Sequence, residues 1–145
     1  MVRRRRSEIL EVLQGIPLFS HLPKGHLREV AKLCFDETYA PGQVIVKQLE
    51  DGQHMVAIVA GTAQVTRDGK TLATVGAGDV VGEMALIDGL RRSAAVVADT
   101  QVEGIVLHRT SFLNLLDDNP SMTRSLLVAQ TARLREADRK LGALG

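Results

Sequence analysis

The chain has 145 residues, of which 45% are hydrophobic and 3% aromatic, and its formal net charge at pH 7 is +1. This length suits a single domain, 1–145, that buries a sizeable core without disulfides. The near-neutral charge excludes a general attraction to nucleic acid, and the few aromatic residues exclude a stacking platform for single strands. The one cysteine, Cys34, excludes an intramolecular disulfide and is expected to be a small buried hydrophobe.

The N-terminal sequence and the length of the apolar runs indicate where in the cell the protein is expected. No apolar run approaches the roughly 20 residues that cross a bilayer, and the arginine-rich start lacks the apolar segment of a signal peptide. We therefore expect a cytoplasmic protein with no transmembrane segment. Arg3 to Arg6 form a short basic run that could contact an anionic membrane or RNA, or could be a solvated terminus.

The N-terminal part, 1–36, is predicted to be a helical bundle. Ser7 can cap a first helix, and a second is expected from about Lys24 to Leu33. The apolar residues on one side of the first helix are Ile9, Leu10, Val12 and Leu13.

The middle part, 37–109, changes to short runs rich in Val, Ile and Thr, separated by turns that contain glycine. The predicted strands are Gln43 to Gln48, His54 to Ala60, Ala63 to Arg67, Lys70 to Val75, Ser93 to Ala98 and Val102 to Leu107. Asp68-Gly69 predicts a tight hairpin turn, because both residues tolerate a positive φ. The pattern predicts a mainly β protein with flanking helices, built on an antiparallel, jelly-roll-like β-roll.

The C-terminal part, 110–145, is predicted to be helical. Thr110 can cap a helix through Asp117, and Asn119-Pro120 starts another that runs to about Leu141. One face of this last helix carries leucines at heptad spacing, with smaller offset residues, and we call it the leucine stripe: Leu127, Leu134, Leu141, Ala137 and Leu144. The stripe could cover a ligand as a lid, pair with its copy in a homodimer, or pack on the roll. Gln130 interrupts it.

The most informative segment is 81–95, where Gly82-Glu83 opens a short helical turn and Arg92 follows. Such a turn leaves backbone N–H groups without partners, which makes an anion site, and a guanidinium can bind two phosphate oxygens at once. Glu83 would repel that anion unless a donor such as a ribose hydroxyl occupied its carboxylate. The pattern therefore indicates a nucleotide with little phosphate charge. Alternatively, Gly82 permits a bend, Glu83 caps a helix, and Arg91 and Arg92 are solvated.

These residues resemble the phosphate-binding cassette of cyclic-nucleotide-binding domains, which occur in bacterial catabolite activators and in cyclic-nucleotide-dependent kinases and channels. The matching positions are Gly82, Glu83, Met84, Ala85, Leu86, Arg92, Ser93 and Ala94. The resemblance implies that Glu83 accepts from the ribose 2′-hydroxyl, that Arg92 pairs with the cyclic phosphate, and that N–H groups near Met84, Ala85 and Ala94 complete the cradle. It covers nearly all of residues 16 to 135.

Two departures from the family pattern affect the loops and the core. Leu49 stands where relatives usually place a glycine, and Val56-Ala57 replace the usual Tyr-Phe pair. The first could alter the turn that leads into the pocket, and the second removes aromatic bulk from the core or its rim.

The expected function is a regulatory sensor that makes and breaks no bond and needs no cofactor. Its ligand would be cyclic AMP or cyclic GMP, and Ser93 does not decide between them, although the pattern looks more like the cyclic AMP activators. Ligand binding would draw the last helix over the base, where Arg135, Ala137 or Asp138 could contact it. An unknown effector protein or a fused output domain would read the change, since no DNA-binding motif precedes Gly145.

Two other classes stay open. A cupin-like metalloenzyme needs a cluster of histidines and a carboxylate, and the spacing of His21, His26, His54 and His108 offers no such pairing. A β-roll that has lost its ligand could act as a scaffold or dimerisation module.

Overall fold

The computed structural model describes residues 4–142, within which eight strands form two antiparallel sheets flanked by five helices. The helices are α1 (Arg6–Gln14), α2 (Lys24–Ala31), α3 (Ala85–Asp88), α4 (Arg109–Asp117) and α5 (Pro120–Lys140). The strands are β1 (Phe35–Tyr39), β2 (Val44–Val46), β3 (His54–Ala60), β4 (Thr62–Arg67), β5 (Lys70–Gly76), β6 (Val80–Val81), β7 (Ala95–Ala98) and β8 (Val102–His108). The predicted fold, a β-roll with flanking helices, is confirmed.

The two sheets have the strand orders β1-β8-β3-β6 and β2-β7-β4-β5. Strand β6 lies at an edge of the first sheet and β7 lies inside the second. The connection between β6 and β7 therefore carries the chain from one sheet to the other. This connection contains α3 and most of segment 81–95.

Strand β3 separates two hydrophobic cores. Successive side chains of a strand point to opposite faces, so Val56 and Ile58 belong to the core between the sheets, whereas Met55 and Ala57 face the core beneath the helices. The helix-side core also contains Phe19 and Phe112 in edge-to-face contact, with ring centroids 5.6 Å apart.

The Val56-Ala57 departure lies in these cores and not at a rim, because both residues are buried. Val56 packs closely on Gly104 of the neighbouring strand β8, where an added Cβ would lie 2.8 Å from Val56 Cγ1. Gly104 is paired with Ile58 in the strand register, and its missing side chain leaves the space that Val56 Cγ1 occupies.

Two strands were not predicted from the sequence. Strand β1 has the polar sequence FDETY and lies at a sheet edge, where its register with β8 runs from Phe35 opposite Val106 to Tyr39 opposite Val102. Strand β6 has two residues, which pair with Val56 and Ala57. Each forms a strand because a neighbouring strand, β8 for β1 and β3 for β6, supplies its hydrogen-bond partners. Local strand propensity does not reveal such a partner.

Several element boundaries differ from the predictions. Strand β2 is shorter than predicted, β7 begins at Ala95 and not at Ser93, and α2 ends at Ala31. The hairpin turn is confirmed, since Asp68 and Gly69 have φ values of 52° and 80°. The predicted cap at Asn119 is also confirmed, because its side chain accepts from the Met122 N–H at 3.2 Å.

The predicted caps at Ser7 and Thr110 are wrong. Helix α1 already begins at Arg6 and α4 at Arg109, so both residues lie inside their helices. The residues at the cap positions, Arg5 and His108, make no side-chain cap hydrogen bond. Each helix follows directly on extended backbone, and no capping side chain marks its start.

Within the basic run at the chain start, Arg5 and Arg6 are exposed, whereas Arg4 contacts the sheet. The backbone N–H of Arg4 donates to Asp36 Oδ2 at 2.9 Å, and the Arg4 guanidinium lies 3.6 Å from the Glu103 carboxylate. Arg4 thus ties the beginning of α1 to strands β1 and β8, and Arg3 lies outside the described residues.

The leucine stripe does not pack on the roll. Leu127, Leu134 and Leu141 are 66%, 68% and 83% exposed, whereas the buried side of α5 carries Met122, Leu126 and Ala129. The lid and homodimer interpretations stay predictions, and Leu144 lies outside the described residues. Within 4–142, none of the helices combines the length and apolar character that a membrane span needs.

Leu49 has a left-handed backbone conformation, which favours glycine. Its φ is 70°, its side chain is 65% exposed, and its N–H donates to the Arg92 carbonyl oxygen at 2.9 Å. The turn therefore places strain in a residue with a Cβ, for which left-handed backbone costs roughly 1–2 kcal/mol.

We predict that Leu49→Gly stabilises the protein by about 0.5–1 kcal/mol, because relief of this strain exceeds the added entropy of the unfolded chain. Equilibrium urea unfolding measures the change. The matched control is Leu72→Gly, another exposed leucine but in strand β5, which should destabilise. Loss of stability in both variants would contradict the assignment of strain to Leu49.

Candidate functional site

Segment 81–95 forms a compact loop between the two sheets. The chain leaves β6, turns at Gly82, forms the single turn of α3, and reverses at Gly89 in a left-handed conformation with φ 61°. It then passes through Arg92 into β7. The loop therefore starts on one sheet and ends on the other.

Gly82 allows Arg92 to lie against the start of this loop. Its φ is 80°, and a Cβ there would collide with the Arg92 guanidinium and lie 2.8 Å from the His54 carbonyl oxygen. Both the backbone angle and the space therefore require glycine. The structure thus brings Arg92 directly against the residue that precedes Glu83.

Arg92 is a buried cation, with 9% of its surface exposed. Its Nη2 donates to the backbone carbonyl oxygen of His54, and burial lowers the pKa of the guanidinium below its ordinary value. No carboxylate of residues 4–142 forms an ion pair with it. A buried charge without a counter-ion is costly, so the arrangement favours an anion beside Arg92.

The turn around Leu49 holds the backbone of Arg92 in place. The Leu49 N–H donates to the Arg92 carbonyl oxygen, and the Arg92 N–H donates to the Glu50 carbonyl oxygen at 2.7 Å. The Gly52 N–H also donates to the loop, to the Leu90 carbonyl oxygen at 3.1 Å. Gly52 packs so closely on Ala85 that an added Cβ would collide with it. This clasp, residues 49–52, fixes the end of the loop against its start.

Glu83 is half-buried and faces the N-terminal helices. Its Oε2 accepts from the Leu18 N–H at 2.9 Å, and Leu18 lies in the connection between α1 and α2. Glu83 and Arg92 do not form an ion pair with each other. Each is held by a backbone group, so the two charges lie at the same loop without neutralising one another.

The other predicted cradle residues lie along the same loop. Met84 is exposed and stands at the start of α3, and Ala85 is buried against Gly52. The helix's first hydrogen bond runs from the Leu86 N–H to the Glu83 carbonyl oxygen, so the N–H groups of Met84 and Ala85 precede it. Ser93 and Ala94 lie between Arg92 and β7, and the Ser93 carbonyl oxygen accepts from Arg67 Nε at 3.0 Å.

The predicted base contacts lie on the last turns of α5. Arg135 and Ala137 are exposed and Asp138 is half-buried. Ala137 lines a cleft of about 380 Å³ with Pro17 and Ser20 of the α1–α2 connection. In this arrangement the end of α5 lies beside that connection, and contact of these residues with a base stays a prediction.

Two residues near the loop were not predicted as part of the site. Arg109 donates from Nη2 to the Ile87 carbonyl oxygen at 3.1 Å, and its guanidinium packs under Gly89. The sequence pattern offered no signal for this role, since the predicted strand ended at Leu107 and the predicted helix cap was Thr110. The half-buried His54 contributes its carbonyl oxygen, and its imidazole pKa is lowered, first by burial and also by the Arg92 charge. The sequence could not identify His54 as part of the site, because it contributes a backbone carbonyl oxygen, which every residue has.

Among residues 4–142, no three histidine, cysteine or acidic side chains are grouped so as to hold a metal ion. Cys34 is half-buried, and burial raises the pKa of its thiol to about 12.

Comparison with known proteins identifies the family. The family model described as the cyclic nucleotide-binding domain matches residues 36–119. The cyclic AMP receptor protein of Thermus thermophilus is 31% identical over 137 residues, which are 91% of this chain and 63% of the receptor. A cAMP-dependent protein kinase regulatory subunit of Yarrowia lipolytica is 30% identical over 115 residues, which are 78% of this chain and 31% of the subunit. The chain thus spans less than two thirds of either relative.

A solved structure supports the same assignment. The N-terminal domain of a transcriptional regulator from Streptomyces coelicolor superposes with a TM-score of 0.75 at 28% identity, covering 88% of this chain and 95% of that domain. The segment that the family model matches, residues 36–119, contains the central strands of both sheets and the loop with Glu83 and Arg92. The chain belongs to the cyclic-nucleotide-binding domain family.

Proposed function

We propose that this chain is a regulatory sensor that binds a cyclic nucleotide, cyclic AMP in preference to cyclic GMP, and that binding shifts the position of α5. The observation that carries the proposal is the buried guanidinium of Arg92, which lies against Gly82 with a backbone carbonyl as its hydrogen-bond partner. A cyclic phosphate is the counter-ion that we assign to it.

The charges around the loop favour a phosphate that carries one negative charge. Arg92 supplies one positive charge, while Glu83 at the start of the same loop is negative. A cyclic phosphodiester has a single charge, so Arg92 balances it and Glu83 repels it less than it would repel a phosphomonoester or a triphosphate. Guanidinium can bind two of its oxygens at once.

Glu83 is assigned to the ribose 2′-hydroxyl. A carboxylate has two oxygens and about four lone-pair directions, and the Leu18 N–H uses one of those directions on Oε2. The rest can accept from a hydroxyl. The N–H groups of Met84, Ala85 and Ala94 complete the phosphate cradle in this assignment.

The preference for cyclic AMP rests on the relatives. One is named as a receptor for cyclic AMP and another as a regulatory subunit of a cAMP-dependent kinase. We extend that ligand to this chain. A separate effector protein or a fused output domain would read the movement of α5, and the ligand can shift α5 only by its difference in affinity for the two arrangements, typically ~1–3 kcal/mol.

We predict selective stabilisation by cyclic nucleotides. In a thermal-shift screen, cyclic AMP at 100-fold over its Kd should stabilise the chain by about 2.7 kcal/mol, cyclic GMP should do so less, and AMP and ATP should have little effect. Equal shifts with all four nucleotides would indicate non-specific anion binding. No shift with any of them would favour the scaffold alternative.

Removal of the Arg92 guanidinium should weaken binding strongly. We predict that Arg92→Ala loses roughly 10- to 150-fold in affinity for cyclic AMP, because a charge-assisted hydrogen bond contributes about 1.5–3 kcal/mol. Isothermal titration calorimetry measures the loss. The matched control is Arg91→Ala, since Arg91 is the exposed neighbouring arginine and should bind as the parent does.

Arg92 also holds the loop, so its variants need a check on folding. Arg92→Lys keeps the charge and loses the bidentate geometry, and should fall between the parent and Arg92→Ala. Circular dichroism and urea unfolding of each variant separate a lost ligand contact from a lost fold. Parent-like affinity in a folded Arg92→Ala protein would rule out the phosphate assignment.

Neutralising Glu83 should affect the ribose form of the ligand. We predict that Glu83→Gln weakens cyclic AMP binding roughly fivefold, because a neutral acceptor replaces a charged one, and changes 2′-deoxy cyclic AMP binding less than about twofold. Titration of both ligands tests this. Glu50→Gln, an exposed carboxylate of the clasp, is the control, and equal losses for both ligands in Glu83→Gln would remove the ribose assignment.

A further inference from the structure

One chain of hydrogen bonds joins the loop, the N-terminal helices and α5. Gln130 Nε2 donates to the Leu18 carbonyl oxygen at 3.0 Å, and the Leu18 N–H donates to Glu83 Oε2 at 2.9 Å. The two backbone polar groups of Leu18 are thus divided between α5 and Glu83. Gln130 is the polar residue that interrupts the leucine stripe, so this contact gives the interruption a structural role.

The orientation of the Gln130 amide is fixed by a third contact. Arg133 Nη1 donates to Gln130 Oε1 at 2.8 Å. Since arginine only donates, the oxygen of the amide must face Arg133 and its NH2 group must face Leu18. The donor to Leu18 is therefore set by the network and cannot be exchanged for an acceptor by rotation of the amide.

Leu18 can couple a displacement of α5 to Glu83, because its side chain is buried and both of its backbone polar groups are hydrogen-bonded. Its side chain and that of Phe19 are buried. Local turns add hydrogen bonds from the Phe19 N–H to the Ile16 carbonyl oxygen at 2.9 Å and from the Ser20 N–H to the Pro17 carbonyl oxygen at 3.4 Å. A residue packed in this way cannot reorient its N–H freely, so displacement at its carbonyl moves its N–H as well.

We propose that Gln130 is a positioning residue for the carboxylate of Glu83 and acts through the backbone of Leu18. The proposal rests on the proposed function, in which Glu83 accepts from the ribose hydroxyl. Gln130 holds Leu18, Leu18 orients Oε2 of Glu83, and the remaining lone pairs are presented to the nucleotide. Movement of α5 that withdraws Gln130 therefore loosens ribose recognition, and ribose binding favours the arrangement with Gln130 in place.

The test uses two variants of the full chain and one control. Gln130→Glu keeps an acceptor for Arg133 and removes the donor to Leu18, whereas Gln130→Met removes both and suits a helix. The control, Val128→Ala, changes an exposed residue of the same helix. Each protein is titrated calorimetrically with cyclic AMP and with 2′-deoxy cyclic AMP.

Both Gln130 variants should lose roughly 3- to 10-fold in affinity for cyclic AMP and less than about twofold for the 2′-deoxy ligand. A residue with a merely structural role would weaken both ligands alike, so equal losses overturn the proposal, as does parent-like binding of both. The control should bind both ligands as the parent does.

A second measurement needs no nucleotide. Hydrogen exchange of the Leu18 amide, followed by NMR, should be faster in both Gln130 variants than in the parent and in Val128→Ala. Unchanged exchange would overturn the link between Gln130 and Leu18. If the parent bound neither nucleotide, the proposed function would fail, and the exchange result would still decide whether Gln130 positions Leu18.

Discussion

The contact between the Arg92 guanidinium and the backbone of Gly82 is the constraint on which the site depends. It requires a glycine with positive φ at the start of the loop and holds a buried cation against the residue before Glu83. The clasp of residues 49–52 keeps Arg92 in that position by backbone hydrogen bonds. Because the guanidinium has no counter-ion among residues 4–142, the fold holds a charge that an anion can neutralise.

The loop is also joined to both ends of the described chain. Glu83 contacts Leu18 near the beginning, and Leu18 contacts Gln130 in the last helix. The helix-side core beneath these contacts contains Phe19, Phe112 and Met122. These contacts through Leu18 connect the loop to α5, and they are the route by which we propose that a bound nucleotide acts on the helix.

Patterns confined to a few neighbouring residues were predictable. The central strands, the Asp68-Gly69 turn and the Asn119 cap each depend on local backbone preferences. Boundaries that depend on a distant partner were not predictable, as with the polar edge strand β1. The Ser7 and Thr110 caps were wrong because the cap positions lie two residues earlier, at Arg5 and His108, on extended backbone that makes no side-chain cap hydrogen bond.

The sequence by itself determined the fold class, because short Val-, Ile- and Thr-rich runs separated by glycine turns are typical of antiparallel strands. It also identified the loop, because glycine, glutamate and arginine at this spacing are typical of the cassette. Only the tertiary structure decided what each charge contacts. Arg92 faces a backbone carbonyl of His54 and Glu83 faces a backbone N–H of Leu18. Backbone groups are the same at every non-proline residue, so their partners are set by how the chain folds and leave no trace in the side-chain pattern.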